Sequence, residues 1–335
     1  MVYVKRMLPS LKRIFLIVII CLFCSYLWYL YSDDRIVRNL NLTLDCDSWH
    51  PEGLNNITGW PTNIVPDIVH YILFEQRKIS YSHMLSMLSV IRIHKPEYIY
   101  IHCDCESFDS DDKNWARVLQ AVNETNTISM HIITIEKPTE INGHKIRKEH
   151  ANYHASDITR YRLMNEYGGI YLDNDVLVCQ PLHRFRKFEF TLNWDEGKAM
   201  GSQVLIGHKD ARVMKLILKT YEAYDTNRWY FNAGELPTMA ILEKFPFIIH
   251  RVKRKFGIDA PIVCPYFYNE LHTDWTNDYY TFHMCMRGNQ ISHPEWCLGD
   301  GHHPLKTAVF DDKLVNSLNN TFGVIARQVL FPSRF

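Results

Sequence analysis

The strongest constraint in this sequence lies between Gly168 and Val178, where the chain reads GGIYLDNDVLV. The stretch has the apolar pattern of a buried strand, yet Asp173 and Asp175 lie in its middle. Two neighbouring carboxylates in a buried strand repel each other and are costly to remove from water unless a positive charge lies between them. Residues two apart on a strand face the same side, so both carboxylates can meet one cation. The pattern therefore predicts a hard divalent ion, Mn²⁺ or Mg²⁺, bound by oxygen ligands.

The tripeptide Asp-x-Asp does not by itself distinguish a metal site from a strand-end turn with two solvated aspartates. It also occurs at Asp45–Asp47 and at Asp109–Asp111, in polar surroundings. The stretch at Asp173 differs because its neighbours are apolar on both sides.

Apolar runs with strand character alternate with helical apolar spacing along the first half of the chain. This alternation predicts a mainly parallel α/β sheet. The predicted strands are Ile68–Phe74, Tyr98–His102 and Ile128–Ile135, and the predicted helices are Tyr81–Ile93, Trp115–Val122 and Asp157–Tyr167. Gly168 and Gly169 supply a helix stop directly before the strand with the two aspartates. Later in the chain we expect helices near 213–224 and 237–244, and an irregular C-terminal third.

The stretch SDITRYRLMNEYGGIYLDNDV, residues 156–176, resembles the DXD sugar-binding region of a glycosyltransferase family. That family includes α1,4-galactosyltransferases, α1,4-N-acetylglucosaminyltransferases and fungal initiating mannosyltransferases, and the stretch is also similar to the nucleotide-sugar site of large clostridial glucosylating toxins. A second stretch, VPDIVHYILF from Val65 to Phe74, is similar to the first strand of the family, near the nucleotide base. The resemblance covers roughly Val65 to Phe190.

The resemblance implies a GT-A type fold, a Rossmann-like, mainly parallel sheet with flanking helices. It assigns the catalytic role and the Mn²⁺ (or Mg²⁺) ligands to Asp173 and Asp175, with His283 as a further metal ligand. The donor-sugar contacts that it implies are His70, Asp157, Arg160, Gly169 and Asp173. Considered without the resemblance, Asp157 and Arg160 form an ordinary ion pair on a helix surface, and His283 is a core or surface histidine.

The activity that the resemblance implies is transfer of a hexose or N-acetylhexosamine from a UDP-sugar to a glycan, glycoprotein or glycolipid, with retention of configuration. A GDP-mannose donor is the first alternative, and a non-catalytic glycan-binding module on the same fold is the second. Lys plus Arg and Asp plus Glu number 37 each, so the chain has no net charge. This balance is not typical of a nucleic-acid-binding protein.

The N-terminus contains an uncharged apolar run, Ile14 to Tyr31, which is 18 residues long. It is preceded by Lys and Arg, which favours a single membrane-spanning helix with the rest of the chain on the lumenal side. We therefore expect four segments: a cytoplasmic tail (1–13), a signal anchor (14–31), a lumenal stem (32–64) and a catalytic domain (65–335). The predicted location of the protein is the Golgi membrane. A cleaved signal peptide is the alternative for the apolar run.

Glycosylation sequons and cysteines agree with a lumenal location. The sequons begin at Asn41, Asn56, Asn123 and Asn319. Seven of the nine cysteines follow the predicted anchor. Because seven is odd, at least one of them is free or pairs between chains, and the sequence does not reveal the connectivity.

Overall fold

The structure is a computed structural model, and it describes residues 32–44 and 51–332 together with residues 15, 18, 19 and 22. Apart from those four residues, the predicted anchor 14–31 lies outside the described residues. No helix within the described ranges is long and apolar enough to cross a membrane. The chain forms two compact units, residues 1–43 and 44–335. The described part of the first unit consists of a helix over residues 32–40 and the segment that follows it.

The second unit is built around a seven-stranded sheet with the order β10-β8-β9-β6-β1-β2-β3. Its strands are β1 (Ile68–Leu73), β2 (Tyr98–Cys103), β3 (Ser129–Thr134), β6 (Gly169–Leu172), β8 (Phe190–Asn193), β9 (Gly201–Gly207) and β10 (His250–Val252). The short strands β4 (Glu140–Ile141) and β5 (His144–Lys145), β7 (Val176–Val178) and β11 (Thr281–His283), and β12 (Met286–Arg287) and β13 (Gln290–Ile291) form three separate pairs.

The main sheet is mixed and mostly parallel. Strand β1 lies in the middle, with Val69 opposite Ile99 of β2 and Ile170 of β6 in parallel register. Strand β9 runs antiparallel to both β6 and β8. The α/β architecture predicted from the sequence is therefore confirmed, and the antiparallel β9 next to β6 is the feature that the alternating pattern did not predict.

Nine α-helices in the described part of the second unit surround these strands. They are α1 (Tyr81–Ser89), α2 (Lys113–Thr125), α3 (Ala151–Glu166), α4 (Arg212–Thr220), α5 (Ala260–Tyr268), α6 (Trp275–Asp278), α7 (Pro294–Leu298), α8 (Asp312–Ser317) and α9 (Thr321–Leu330). The predicted helices in the first half correspond to α1, α2 and α3. The helix expected near 213–224 corresponds to α4, and the one expected near 237–244 is a π-helical segment, Thr238–Leu242.

Local sequence explains where the early helices begin and end. Ser80 and Asp112 accept hydrogen bonds from backbone N–H groups in the first turns of α1 and α2, as N-cap side chains do. Helix α3 is terminated by Gly168, two residues after its last residue, Glu166. Gly168 has a positive φ of 66° and donates its N–H to the Met164 carbonyl. This left-handed residue turns the chain directly into β6.

The stretch GGIYLDNDVLV does not form one continuous strand, which corrects the expectation from its apolar pattern. Strand β6 ends at Leu172 in the main sheet, and β7 begins at Val176 and pairs with β11 in a separate sheet. The N–H of Val176 donates to the Asp173 carbonyl over 2.9 Å, so residues 173–175 form a corner. The two aspartates therefore lie just beyond the carboxyl end of β6, a central strand of the main sheet, and ligands of α/β proteins bind at such strand ends.

The C-terminal third is more regular than expected. Helix α9 spans ten residues and buries Phe322, Ile325 and Val329. The composition was misleading there because several of the His and Trp residues lie inside short elements: Trp275 in α6, His283 in β11 and Trp296 in α7.

Part of the predicted stem (32–64) lies within the second unit, which begins at residue 44. Leu54 and Asn56 are buried, and the Asn56 side chain accepts the Glu189 N–H and donates to the Phe247 carbonyl, both over 3.0 Å. The sequon at Asn56 is therefore inaccessible in the folded unit. The asparagines of the other three sequons, Asn41, Asn123 and Asn319, are exposed.

The turn between α3 and β6 depends on Gly169, and its substitution tests this. A Cβ at Gly169 would lie 2.6 Å from the Ile68 carbonyl oxygen, in a backbone with φ of +105°. We expect Gly169→Ala to destabilise the protein by more than about 3 kcal/mol, because the contact with a backbone atom adds to the cost of the positive φ. Chemical denaturation of the variant and the wild type measures the difference.

The matched control is Gly143→Ala, which has φ of +78° but no atom within 4 Å of the new Cβ. It should cost only about 1 kcal/mol. An equal decrease in the free energy of unfolding for the two variants would show that the close approach of β1 to Gly169 does not contribute to the effect of Gly169→Ala.

Candidate active site

Backbone contacts from the antiparallel strand β9 position the corner with the two aspartates. The Asp173 N–H donates to the Gln203 carbonyl over 2.9 Å, and β9 also carries Ser202. The corner is fixed from the other side by Asn174, whose Nδ2 donates to the Ile72 carbonyl at the end of β1 (2.7 Å). Asp173 and Asp175 are thus held where β1, β6 and β9 meet.

The Arg160 guanidinium lies between the first aspartate and a second carboxylate. Its Nη2 is 3.0 Å from Asp157 Oδ1 and 3.2 Å from Asp173 Oδ1. Its Nη1 donates to the backbone and hydroxyl oxygens of Ser202, over 3.0 and 2.9 Å. Tyr171 adds a hydroxyl donor to Asp173 Oδ1 over 2.7 Å. Arg160 is therefore a buried hub and not a residue of a surface ion pair.

One cation shared by two carboxylates leaves a surplus of negative charge. Burial raises the pKa of Asp157 to about 6, although Arg160 acts in the opposite direction. Burial would lower the pKa of Arg160, but Asp173, Tyr171 and Asp157 outweigh it and raise the pKa well above its ordinary value. The trio is therefore an anionic site at neutral pH and can attract a cation.

The second aspartate has a different set of partners. Asp175 Oδ1 lies 3.1 Å from His283 Nε2, and Asp175 Oδ2 accepts the Met286 N–H over 2.9 Å. Burial alone would raise the pKa of Asp175, but the contacts with His283 and Met286 hold the pKa below its ordinary value. Strand β11 places His283 here because it pairs with β7, with His283 opposite Val176.

The predicted metal ligands offer a chemically suitable donor set. Carboxylate oxygens suit both Mn²⁺ and Mg²⁺, whereas an imidazole nitrogen favours the transition metal Mn²⁺. Two ligands at right angles around an ion with bonds of about 2.1 Å lie about 3 Å apart, which is close to the 3.1 Å between Asp175 and His283. Asp173 stands further off, held by Arg160 and Tyr171, and Asp173, Asp175 and His283 are not among the groups of three mutually close ligand atoms found in the described residues. A bound ion would therefore keep coordination positions for phosphate oxygens.

Two cavities adjoin the corner and share Arg160, Asp173 and Asp175. The larger one, which we call the cleft, has a volume of about 460 Å³. Its walls include Asp157, Arg160, Asp173, Asp175, Ser202, Gln203, Trp229, His283 and Trp296. The smaller one, the side cavity, has a volume of about 200 Å³ and extends toward Phe74 and Gln76 beyond β1. The two aspartates therefore separate two spaces that open onto one site.

Three residues that the sequence did not indicate have unpaired polar atoms at these cavities. His83 Nδ1 and Asn174 Oδ1 in the side cavity and Gln203 Oε1 in the cleft are buried and have no partner within the described chain. Buried polar groups normally have a partner, so these atoms are suited to a polar ligand. Burial lowers the pKa of His83 to about 4, which keeps the ring neutral. Nothing in the local sequence could have identified them, because the tertiary fold brings them to the corner.

The structure does not bring two of the predicted donor contacts, His70 and Gly169, to the cavities. His70 is fully buried, with one ring nitrogen 2.8 Å from the Gly168 carbonyl and the other 3.0 Å from His102 Nε2. Burial lowers the pKa of His70 to about 4, so its Nε2 donates to Gly168 as part of a neutral ring. In the described structure His70 and Gly169 support the turn before β6, and Asp157, Arg160, Asp173, Asp175 and His283 all lie at the cleft.

Comparison with known proteins identifies the class. Residues 70–194 match the family described as the glycosyltransferase sugar-binding region containing the DXD motif. The matched segment contains the whole corner with Asp157, Arg160, Asp173 and Asp175. Over this segment the chain is therefore similar to the sugar-binding region of DXD-motif glycosyltransferases. No curated protein sequence is significantly similar to the chain.

Several solved structures are distantly similar. PaToxG glycosyltransferase is 15% identical, over 65% of this chain and 80% of its own, with a TM-score of 0.37. The glycosyltransferase GlyE of Streptococcus pneumoniae TIGR4 is 13% identical, over 80% of this chain and 64% of its own, with a TM-score of 0.41. The galactosyltransferase LgtC, solved in complex with donor and acceptor sugar analogs, is 15% identical, over 65% of this chain and 87% of its own, with a TM-score of 0.35. The chain thus spans less than two thirds of the length of GlyE.

The raised pKa of Asp157 predicts a specific pH dependence of stability. The folded protein binds this proton more tightly than the unfolded chain, whose pKa is near 3.8. The stabilisation from protonated Asp157 is complete below pH 3.8 and is lost as the pH rises through about 6. Relative to the wild type, Asp157→Asn should therefore become more stable by roughly 2 kcal/mol between pH 4 and pH 7.5.

Urea unfolding of both proteins across this pH range measures the difference. The exposed Asp300→Asn variant serves as a control for removing a carboxylate elsewhere. A difference between Asp157→Asn and the wild type that does not change with pH would contradict the assignment of a raised pKa to Asp157.

Proposed function

We propose that the chain is a GT-A type, Mn²⁺-dependent (or Mg²⁺-dependent) glycosyltransferase that transfers a hexose or N-acetylhexosamine from a UDP-sugar to a glycan or glycolipid. The observation that carries the proposal is the convergence of five charged or titratable side chains at one cleft: Asp157, Arg160, Asp173, Asp175 and His283. The family match and the mostly parallel sheet support the GT-A assignment.

Asp175 and His283, with Asp173 beside them, would hold the metal ion. When bound, the ion stabilises the negative charge that develops on the departing nucleoside diphosphate. The residues of the chain supply the rest. Arg160 keeps Asp173 in place and contributes positive charge beside the diphosphate, and Asp157 accepts hydrogen bonds from hydroxyl groups of the donor sugar.

We infer a retaining reaction by front-face displacement. The leaving diphosphate accepts the proton of the acceptor hydroxyl, and the bond to the acceptor forms on the face from which the diphosphate departs. Gln203, whose Oε1 is unpaired in the cleft, is suited to orient the donor sugar through a hydroxyl group. The two carboxylates of a glycosidase flank the bond that they cleave, whereas Asp173 and Asp175 lie at one corner with Arg160 and His283.

Two half-exposed tryptophans support a saccharide as the acceptor. Trp229 and Trp296 line the same cleft as the aspartates and are 49% and 46% exposed. The ring of Trp229 packs edge-on against Tyr153, and the ring of Trp296 stacks on His293. Large aromatic faces left open in a cleft offer contact area to the apolar C–H face of a pyranose ring.

The cellular setting is also part of the proposal. We infer a type II protein of the Golgi membrane, with the anchor at 14–31 and the catalytic unit in the lumen. The apolar run with preceding Lys and Arg and the exposed asparagines of three sequons support it. The nucleotide of the sugar donor is to be tested, and GDP-mannose is the alternative to a UDP-sugar.

Substitution of the second aspartate tests the metal and donor site. With Mn²⁺ and UDP at a hundred times the dissociation constant, the full chain should gain about 2.7 kcal/mol of stability. We expect an increase in melting temperature of about 4 °C that requires Mn²⁺ and is lost in Asp175→Asn. Differential scanning fluorimetry of the full chain in detergent measures it, with GDP in a parallel series.

Asp111→Asn is the matched control, because Asp111 belongs to another Asp-x-Asp tripeptide and forms only a surface pair with Lys78. It should respond to UDP like the wild type. Retention of the full shift by Asp175→Asn would refute the site, and a shift with GDP alone would move the donor assignment to GDP-mannose.

The tryptophans generate a separate prediction. For the best acceptor in a panel of free saccharides, Trp229→Ala and Trp296→Ala should each raise the KM for the acceptor about tenfold, since each loses roughly 1–2 kcal/mol of apolar contact. Acceptor-independent hydrolysis of the donor should change little, because both variants leave Asp173, Asp175 and His283 in place. Phe247→Ala, which removes an exposed ring (58%) outside the cleft, is the control. An unchanged acceptor KM in both tryptophan variants would exclude the aromatic acceptor site.

A further inference from the structure

Three cysteines from separate elements meet beside the cleft. Cys264 lies in α5, Cys297 in α7, and Cys285 between β11 and β12. All three are buried, and their Sγ atoms lie within 4.8 Å of one another. Cys264 and Cys297 form a disulfide, while Cys285 has a free thiol. A thiol and a disulfide are thus held close together inside one folded unit.

Cys285 also belongs to the segment that holds Asp175. The N–H of Met284, just before it, donates to the Asp175 carbonyl over 2.9 Å, and the N–H of Met286, just after it, donates to Asp175 Oδ2. The Cys285 sulfur is 3.4 Å from His283 Nδ1. The residue itself has a φ of +52°, a left-handed conformation that is uncommon outside glycine. Its position is therefore fixed by contacts on both sides.

We propose that Cys264, Cys285 and Cys297 form a thiol–disulfide exchange centre beside the cleft. In the exchange step, the Cys285 thiolate attacks one sulfur of the Cys264–Cys297 bond. A new S–S bond forms to the attacked cysteine, the original S–S bond breaks, and the other cysteine leaves as a thiolate and takes up the proton that Cys285 released. The number of disulfides and thiols is unchanged, so the step needs no external oxidant or reductant.

The exchange would change what constrains the residues around Asp175. With the Cys264–Cys297 bond, no disulfide links the segment 283–286 to the rest of the unit, and hydrogen bonds and packing hold it in place. With a bond from Cys285 to either partner, the same segment is linked covalently to α5 or α7.

The distribution of the free thiol in the wild type tests the proposal without any substitution. The full chain is purified without reductant, acidified to stop exchange, and denatured in excess N-ethylmaleimide. Mass spectrometry of the unreduced peptides then locates the label and the disulfides. Exchange predicts label on Cys264 or Cys297 in addition to Cys285, with the matching disulfides to Cys285. Label on Cys285 alone, label on all three cysteines, or a metal bound by three thiolates would overturn the proposal.

Two variants provide the second arm. Cys264→Ser should contain a Cys285–Cys297 disulfide in most molecules, and Cys297→Ser a Cys264–Cys285 disulfide, because the freed sulfur lies within reach of Cys285. Cys179→Ser is the control, since Cys179 is a buried free cysteine outside the cluster and its loss should leave the disulfides unchanged. Two labelled cysteines in both variants, with Cys285 unpaired, would contradict the exchange centre.

Discussion

The buried guanidinium of Arg160 is the interaction on which this site depends. It contacts Asp157 on its own helix, Asp173 at the corner and Ser202 on β9, so it joins three elements through one side chain. A buried charge that loses its partners strongly destabilises the folded state, so separation of these elements would cost a large free energy. The same contacts leave the group with a net negative charge, which makes the corner suitable for a metal ion and keeps Asp173 in a single orientation.

The two aspartates of the DXD motif have different surroundings, and the difference arises from the broken strand. Asp173 directly follows β6 and is held by Arg160 and Tyr171. Asp175 directly precedes β7, and it contacts His283 because β11, which carries His283, pairs with β7. In one continuous strand the two carboxylates would share one environment. The corner instead connects the main sheet, through Asp173, with the C-terminal part of the unit, through Asp175, and the cleft lies between these two parts.

The sequence predicted the elements whose signals are local. The helix stop at Gly168 and the apolar strands β1 and β2 could be recognised because each depends on neighbours in the chain. Asp157 and Arg160 were predicted as site residues from the family resemblance. The ion pair of Arg160 with Asp173 could not be predicted, because it forms only in the tertiary structure. The unpaired atoms of His83 and Gln203 could not be predicted, because two elements far apart in sequence, helix α1 and strand β9, bring them to the corner. His70 was assigned to the donor from its position in a motif, while its burial beside Gly168 depends on the packing of three strands.

Anomalous diffraction at the manganese absorption edge, from crystals of the protein grown with Mn²⁺ and UDP, tests the central claim most directly. The account predicts one strong manganese peak at the corner, within coordination distance of Asp175 and His283 and of the diphosphate oxygens, with Arg160 still between Asp157 and Asp173. A manganese peak at the other cluster of close ligand atoms, Asp67, His94 and His183, or UDP bound in the cleft with no manganese beside Asp175, would contradict it.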